Sequence, residues 1–225
     1  MKRLAVHDLG LVPYGEALDL QRRVCEQRIA GEIPDTLLLL EHPPVITLGR
    51  GWKASSLPIE PGLLRRRGIE VFDIERGGDV TYHGPGQLVG YPIIQLRDHR
   101  PDLHWYLRGL EDALIGALRA LGVAASRREG LTGVWVGAGK IASIGIHVRQ
   151  WVTFHGFALN VTTDLSPFSL IVPCGIPGVQ MTSVAQQLPA GPVPLLMEKT
   201  KDAVVASFAE TFGLVPDEVR AEPGG

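Results

Sequence analysis

The sequence predicts an α/β (α+β) fold, a mixed β-sheet flanked by helices. Three observations predict it. Two long segments, near 14–30 and 103–121, carry apolar residues at helical spacing. Short apolar runs alternate with them in the first half of the chain. Between 132 and 161, strand-like runs then follow one another with short breaks. Helices that alternate with strands early, before strands cluster, fit a sheet with helices packed on it.

Each element has its own reason. In 14–30, Tyr14, Ala17, Leu18, Val24, Cys25 and Ile29 form a helical stripe that Gly31 and Pro34 close. Thr36 to Leu40 is a continuous apolar run, fitting a strand buried on both faces. His42-Pro43-Pro44 breaks it, and Val45 to Leu48 resumes as a strand. Ile69–Ile74 and Leu88–Leu96 read as further strands. The longest helix is predicted from Leu103 to Leu121, with Asp102 as N-cap and Gly122 ending it. Thr132–Val136, Ile141–Val148 and Trp151–Val161 read as a meander. A loop-rich stretch, 162–197, precedes a last helix near 198–212, with Gly213 beyond it.

With 225 residues and 45% hydrophobic content, the chain can bury a substantial core. No repeat or linker divides it, so 1–225 reads as a single domain. A formal net charge of −2 argues against a general nucleic-acid binder. Arg65-Arg66-Arg67 and Arg127-Arg128 are candidates for docking an acidic partner, although solvated faces explain such runs more simply. The opening residues meet His7 and Asp8 before any long apolar stretch, so no signal peptide is expected. No apolar window is long enough for a membrane helix. Two cysteines, Cys25 and Cys174, are too few for a disulfide framework, and a reducing cytoplasmic compartment is expected.

The densest chemical segment is Arg76-Gly77-Gly78-Asp79-Val80-Thr81-Tyr82-His83-Gly84-Pro85-Gly86-Gln87. Its four glycines and one proline predict a loop whose backbone approaches a ligand, with many side-chain donors beside it. Phosphate motifs fail on spacing. Before Gly139-Lys140 the first P-loop glycine position holds Val134, and Ile141 follows the lysine. Gly84, Gly86 and Gly90 miss the dinucleotide pattern by one residue. The seven histidines form no ligand pair of metal spacing, so neither metal nor cofactor is expected.

The cysteines differ. Cys25 lies on an apolar helical stripe and reads as a small buried hydrophobe. Cys174, in Val172-Pro173-Cys174-Gly175-Ile176-Pro177-Gly178, is held in a loop by its neighbours. It is either an inert loop residue or a working thiol. A free thiol is mostly protonated at neutral pH, and a nearby ammonium would stabilise the nucleophilic thiolate. Lys140 is the candidate ammonium: it follows Gly137-Ala138-Gly139 and opens an apolar strand, as a tip residue in water or a functional amine.

Taken together, these segments resemble the octanoyltransferases of lipoate biosynthesis, the lipoyl(octanoyl) transferases. The resemblance rests on Glu41 through Arg50, Arg76-Gly77-Gly78 through Gln87, and Tyr91-Pro92. It continues through Gly133 to Val136, Lys140 to Gly145, His155 to Asn160 and Pro173-Cys174-Gly175. It implies a scaffold like the biotin/lipoate protein ligase catalytic domain. It also implies an acyltransferase that takes an octanoyl group from octanoyl-acyl carrier protein and delivers it to a lysine of lipoyl domains. The implied acceptors are 2-oxoacid dehydrogenase E2 subunits and the glycine cleavage H protein. Cys174 would be the acyl-thioester nucleophile and Lys140 the group that stabilises its thiolate and carries protons. Arg76, Gly77, Gly78, Asp79, Val80, Thr81, Tyr82 and His83 would line the acyl pocket with Ser143, Ile144, Gly145, Gly156, Phe157 and Ala158.

Within this reading, backbone amides near Gly77-Gly78 or Gly175 are the expected oxyanion donors. His83 and His155 rank as pocket and orienting residues rather than bases. Arg50, Arg65 to Arg67 or Arg76 would meet acidic protein partners at the mouth. The competing readings are an ATP-dependent lipoate or biotin ligase, an acyl-binding module without turnover, and a cysteine hydrolase.

Overall fold

The computed structural model describes residues 2–189, 194–217 and 220–221. Residues 190–193, within the stretch read as loop-rich, lie outside the described residues. In the first half the elements run β1 (Lys2–Leu11), α1 (Tyr14–Ala30), β2 (Asp35–Glu41), β3 (Val45–Leu48), α2 (Pro61–Arg66), β4 (Glu70–Asp73), β5 (Val80–His83), β6 (Gln87–Ile93) and α3 (Leu103–Ala120). Then come β7 (Ser126–Arg128), β8 (Leu131–Val136), β9 (Gly139–Arg149), β10 (Val152–Asn160), β11 (Gln180–Met181), α4 (Val184–Gln187), α5 (Leu196–Phe212), β12 (Leu214–Pro216) and β13 (Arg220–Ala221). Single 3₁₀ turns sit at Ala54–Ser56 and Pro173–Gly175.

Most strands form one mixed sheet in the order β12-β1-β2-β6-β10-β9-β8-β7, with β11 paired to β9 and β13 to β1. β1 and β2 run parallel, whereas β8, β9 and β10 form the antiparallel meander that the sequence predicts. A small second sheet, β4-β3-β5, stands beside it.

β2 shows how the layers are assembled. Alternate side chains of a strand face opposite ways. Leu37 and Leu39 join the core under α3 and α5, while Leu38 and Leu40 join the core under α1. Each face is covered, so the whole run is apolar. The helices end as their sequences dictate. Gly31 adopts φ 74° after α1, and the Asp102 side chain accepts the Trp105 N–H at 3.0 Å before α3. Among the described residues no helix is long and apolar enough to cross a membrane.

One expectation needs correcting. The segment 76–87 is not wholly loop: Val80 to His83 form β5, paired antiparallel with β3. The glycines flank these four residues rather than interrupting them. β1 also carries no clear periodicity; it is held by β2 on one side and β12 on the other.

A buried carboxylate ties α1 to the chain beyond β6. Asp35, 2% exposed, accepts from Arg28 Nε at 2.9 Å and from the Gln95 N–H at 3.0 Å, and lies 2.6 Å from His99 Nε2. Burial pushes its carboxyl up, but these hydrogen bonds and the Arg28 charge outweigh burial and hold it below its ordinary value. Its contribution is therefore present above the unfolded carboxyl range and is lost as pH falls through the lowered value. Asp35→Ala is expected to destabilise the fold by about 3–5 kcal/mol at neutral pH. Urea titrations should show the gap to wild type narrowing in acid; a constant gap would contradict this account.

Candidate active site

Lys140 is the second residue of β9, and its side chain is 2% exposed. Its Nζ lies 3.1 Å from Cys174 Sγ and 5.5 Å from the centroid of Trp135. Among the described residues no carboxylate pairs with it, so the sulfur is its polar partner. Ser143 Oγ sits 3.7 Å from the same sulfur. In a regular strand, residues 140 and 143 face opposite sides. Here the β8–β9 register shifts: Trp135 pairs with Lys140 but Val134 pairs with Ala142. Ile141 is thus the extra residue of a β-bulge. Ile141 and Ala142 both enter the core under α3, and Lys140 and Ser143 emerge together on the other side.

Cys174 is brought there by the chain on either side of it. Downstream, β11 pairs in parallel with Gly139 and Lys140, and the Thr182 N–H donates to the Lys140 carbonyl at 3.0 Å. Upstream, the Val172 N–H donates to the Ser56 carbonyl at 2.8 Å. Ser56 Oγ in turn donates to Asp79 Oδ2 at 2.8 Å. Cys174 has φ 57° and Gly175 φ 67°, two successive left-handed residues that turn the half-buried thiol inward. The Asp79 carboxylate occupies the space a side chain on Gly175 would need.

The pair stands at a cavity of about 200 Å³ between the small sheet and the α1 side of the large one. Ser143 faces Ala158, and Gly145 faces Gly156, across β9 and β10. A Cβ on Gly145 would come within 3.0 Å of Arg76 Cδ, so the bare glycine admits the arginine. Of the predicted pocket residues, Arg76, Gly78, Asp79, Thr81, His83, Ser143, Ile144, Gly145, Gly156, Phe157 and Ala158 line this cavity. Gly77, Val80 and Tyr82 do not. Because β5 is a strand, Thr81 and His83 face the cavity while Val80 and Tyr82 turn into a separate core with Phe168 and Ile171. Tyr14, Val89, Tyr91, Gly130, Leu131, Thr132, His155 and Ile176 also line it. Tyr14 and Val89 had a sequence signal only as apolar core positions.

Burial sets the electrostatics. Arg76 is 8% exposed; its Nη2 donates to the Thr47 carbonyl at 2.8 Å and to Thr47 Oγ1 at 2.9 Å. Desolvation pulls the guanidinium below its ordinary value, partly offset by Tyr14 and Cys174. A guanidinium so enclosed does not meet a partner protein, which corrects the expectation that placed Arg76 among the docking arginines. Arg50 and Arg65 to Arg67 are exposed, whereas Arg127 is engaged by Glu111 and Asp112. His83 is pushed down to about 3 by burial and by neighbouring His42, and burial also lowers His155. Both are neutral, weak bases at neutral pH, which suits packing and orientation. His155, at φ 55°, departs from regular strand backbone, and its N–H donates to Gln21 Oε1 at 2.8 Å. Cys25 is 2% exposed, its thiol pushed up to about 11 by burial, as an inert core residue should be. Two of the expected oxyanion amides are engaged: Gly77 N–H donates to the Ile146 carbonyl and Gly175 N–H to the Val172 carbonyl, each at 2.9 Å, while the third, Gly78, lines the cavity itself.

Lys140 is also held from above. Gly133, at φ 131°, would place a Cβ 2.7 Å from Lys140 Cε. Its N–H donates at 3.0 Å to Glu111, a carboxylate 1% exposed that also accepts from Arg108 at 2.7 Å and Arg127 at 2.9 Å. Glu111 escaped the sequence reading because it looks like a solvated helix residue. Gly133→Ala is expected to push Nζ off the sulfur and slow iodoacetamide alkylation of Cys174 at neutral pH roughly tenfold or more. An unchanged alkylation rate in a folded variant would contradict this role for Gly133.

Comparison with known proteins follows the same lines. Residues 13–209 match the lipoyl protein ligase A/B catalytic domain. An octanoyltransferase of Gloeobacter violaceus is 49% identical over 225 residues, covering 100% of this chain and 95% of its own. In fold, the chain resembles a bi-partite lipoate protein ligase of Thermoplasma acidophilum at TM-score 0.74 and 19% identity, covering 100% of this chain and 87% of that one. It also resembles biotin acetyl coenzyme A carboxylase synthetase of Helicobacter pylori at TM-score 0.54 and 11% identity, covering 94% and 74%. A match across most of the chain, with near-half identity to an octanoyltransferase along its full length, shows that the chain belongs to the lipoyl protein ligase A/B catalytic-domain family.

Proposed function

We propose that this chain is an octanoyltransferase that carries its acyl group as a thioester on Cys174. The observation that carries the reading is the Lys140 Nζ–Cys174 Sγ contact at 3.1 Å, set at the edge of a largely apolar cavity. The identity to octanoyltransferases supports the acyl group and the reaction class. Octanoyl-acyl carrier protein is the donor. The acceptors are lysines of lipoyl domains, as in 2-oxoacid dehydrogenase E2 subunits and the glycine cleavage H protein. Residues 1–225 act as one catalytic domain in a reducing cytoplasm, where Cys25 and Cys174 stay free thiols.

The contact between Lys140 and Cys174 supports the following steps. The Cys174 thiolate attacks the donor thioester carbon, and the carbonyl π pair moves onto oxygen. Collapse breaks the bond to the carrier sulfur, which leaves with a proton from Lys140. The acceptor amine then attacks the Cys174 thioester, neutral Lys140 takes the proton that the nitrogen sheds, and the thiolate is released. The acyl chain lies in the adjoining cavity, against the face of the sheet that carries Ser143 and Ala158. Exposed Arg50 and Arg65 to Arg67 provide cationic contacts for acidic partners.

Intact mass after mixing with octanoyl-acyl carrier protein, without acceptor or ATP, tests the intermediate. One octanoyl group should add, be removed by hydroxylamine, and be missing from Cys174→Ser. Transfer without any adduct would demote Cys174, and transfer only with ATP would favour the ligase. Lys140→Arg keeps a charge but cannot shuttle the proton, so turnover should fall roughly 10²–10⁴-fold. Near-normal turnover would rule out the proton role.

A further inference from the structure

We infer that Ser143 is a catalytic residue of this transfer, its hydroxyl donating a hydrogen bond to the oxyanion that forms on the carbon attached to Cys174. The inference rests on the acyl-transfer reading above and adds the group that stabilises its transition states. A tetrahedral carbon bonded to Sγ carries its oxyanion roughly 3 Å from that sulfur, so the donor must lie within a few ångströms of it. Ser143 Oγ, 3.7 Å from Sγ, meets that requirement and lines the same cavity.

Two further observations favour it. Two of the three glycine amides placed by sequence to serve, those of Gly77 and Gly175, already donate to backbone carbonyls at 2.9 Å, which leaves Gly78 at the cavity and Ser143 beside the sulfur. The β-bulge at Ile141 also has a chemical consequence: without it, Ser143 and Lys140 would emerge on opposite faces of β9. With it, an ammonium that moves the proton and a hydroxyl that meets the oxygen flank one sulfur. Ser143 gives up no proton. In both half-reactions it donates to the oxygen while the carbonyl π pair resides there, and it returns to the sulfur when the double bond re-forms.

A test must separate this role from simple support of the thiol. Alkylation of Cys174 by iodoacetamide is a displacement at saturated carbon and forms no oxyanion, whereas both acyl-transfer steps form one. Ser143→Ala is expected to slow acylation by octanoyl-acyl carrier protein, and deacylation by a lipoyl domain, by roughly 10²-fold or more. Its alkylation rate should change far less than its transfer rates, and an unchanged circular dichroism spectrum reports that the variant is folded. Equal slowing of alkylation and transfer would overturn the inference, since Ser143 would then act on the sulfur alone. Transfer within about threefold of wild type would overturn it as well. Absence of any acyl adduct on the wild-type protein would instead refute the thioester reading, and this inference would fall with it.

Discussion

A lysine side chain shut away from water must be supplied with a polar partner or lose its charge. Lys140 is in that position: 2% exposed, roofed by Gly133, beside the face of Trp135, with the sulfur of Cys174 as the partner at 3.1 Å. Much of the surrounding structure serves this one contact. The bulge at Ile141 turns the lysine out of the core. The short strand β11 stitches the chain after Cys174 to the backbone of Lys140 itself. The Asp79, Ser56 and Val172 hydrogen bonds hold the chain before it. Each has a local energy of only about 1 kcal/mol, yet together they bring two side chains that are 34 residues apart in sequence to 3.1 Å of each other.

The cavity beside this pair is walled by close packing that bare glycines admit. Gly145 and Gly156 stand opposite each other, and the space over Gly145 is filled by Arg76. The buried polar groups around the cavity are kept quiet by desolvation. His83 and His42 are driven well below the ordinary histidine value, and Tyr14 and Tyr91 well above the ordinary phenol value. Besides these desolvated rings and His155, the ionisable groups of the lining are Arg76, Asp79 and, at one end beside Ser143, Lys140 and Cys174. An apolar acyl chain can lie along such a wall without displacing a solvated ion.

Periodicity made the larger elements legible. The stripe from Tyr14 to Ile29, the fully apolar Leu37 to Leu40 and the helix capped by Asp102 all form where their patterns place them, because each buries a face against the sheet. β1 and β5 were not legible for opposite reasons. β1 is half-exposed and mixed in character, so its pairing with β2 and β12 decides it. β5 is four residues framed by glycines, and the loop signal of its flanks masked the strand within. Glu111 was hidden because a charged residue on an amphipathic helix normally points to water; here it is buried to hold the Gly133 amide.

The sequence by itself determined the mixed sheet with its helices, the inert character of Cys25, and the pairing of Lys140 with Cys174 through the family resemblance. These depend on residue type and on local spacing, which a sequence carries directly. Only the tertiary structure decided which residues of Arg76 to His83 reach the cavity, that Arg76 is enclosed rather than facing a partner, that the Gly77 and Gly175 amides are engaged, and that Ser143 shares a face with Lys140. Each of these turns on strand parity and on where a backbone N–H finds its acceptor. A single inserted residue, Ile141, reverses that parity. Whether a residue acts as such an insertion depends on its pairing with β8, a relation between strands that no single segment specifies.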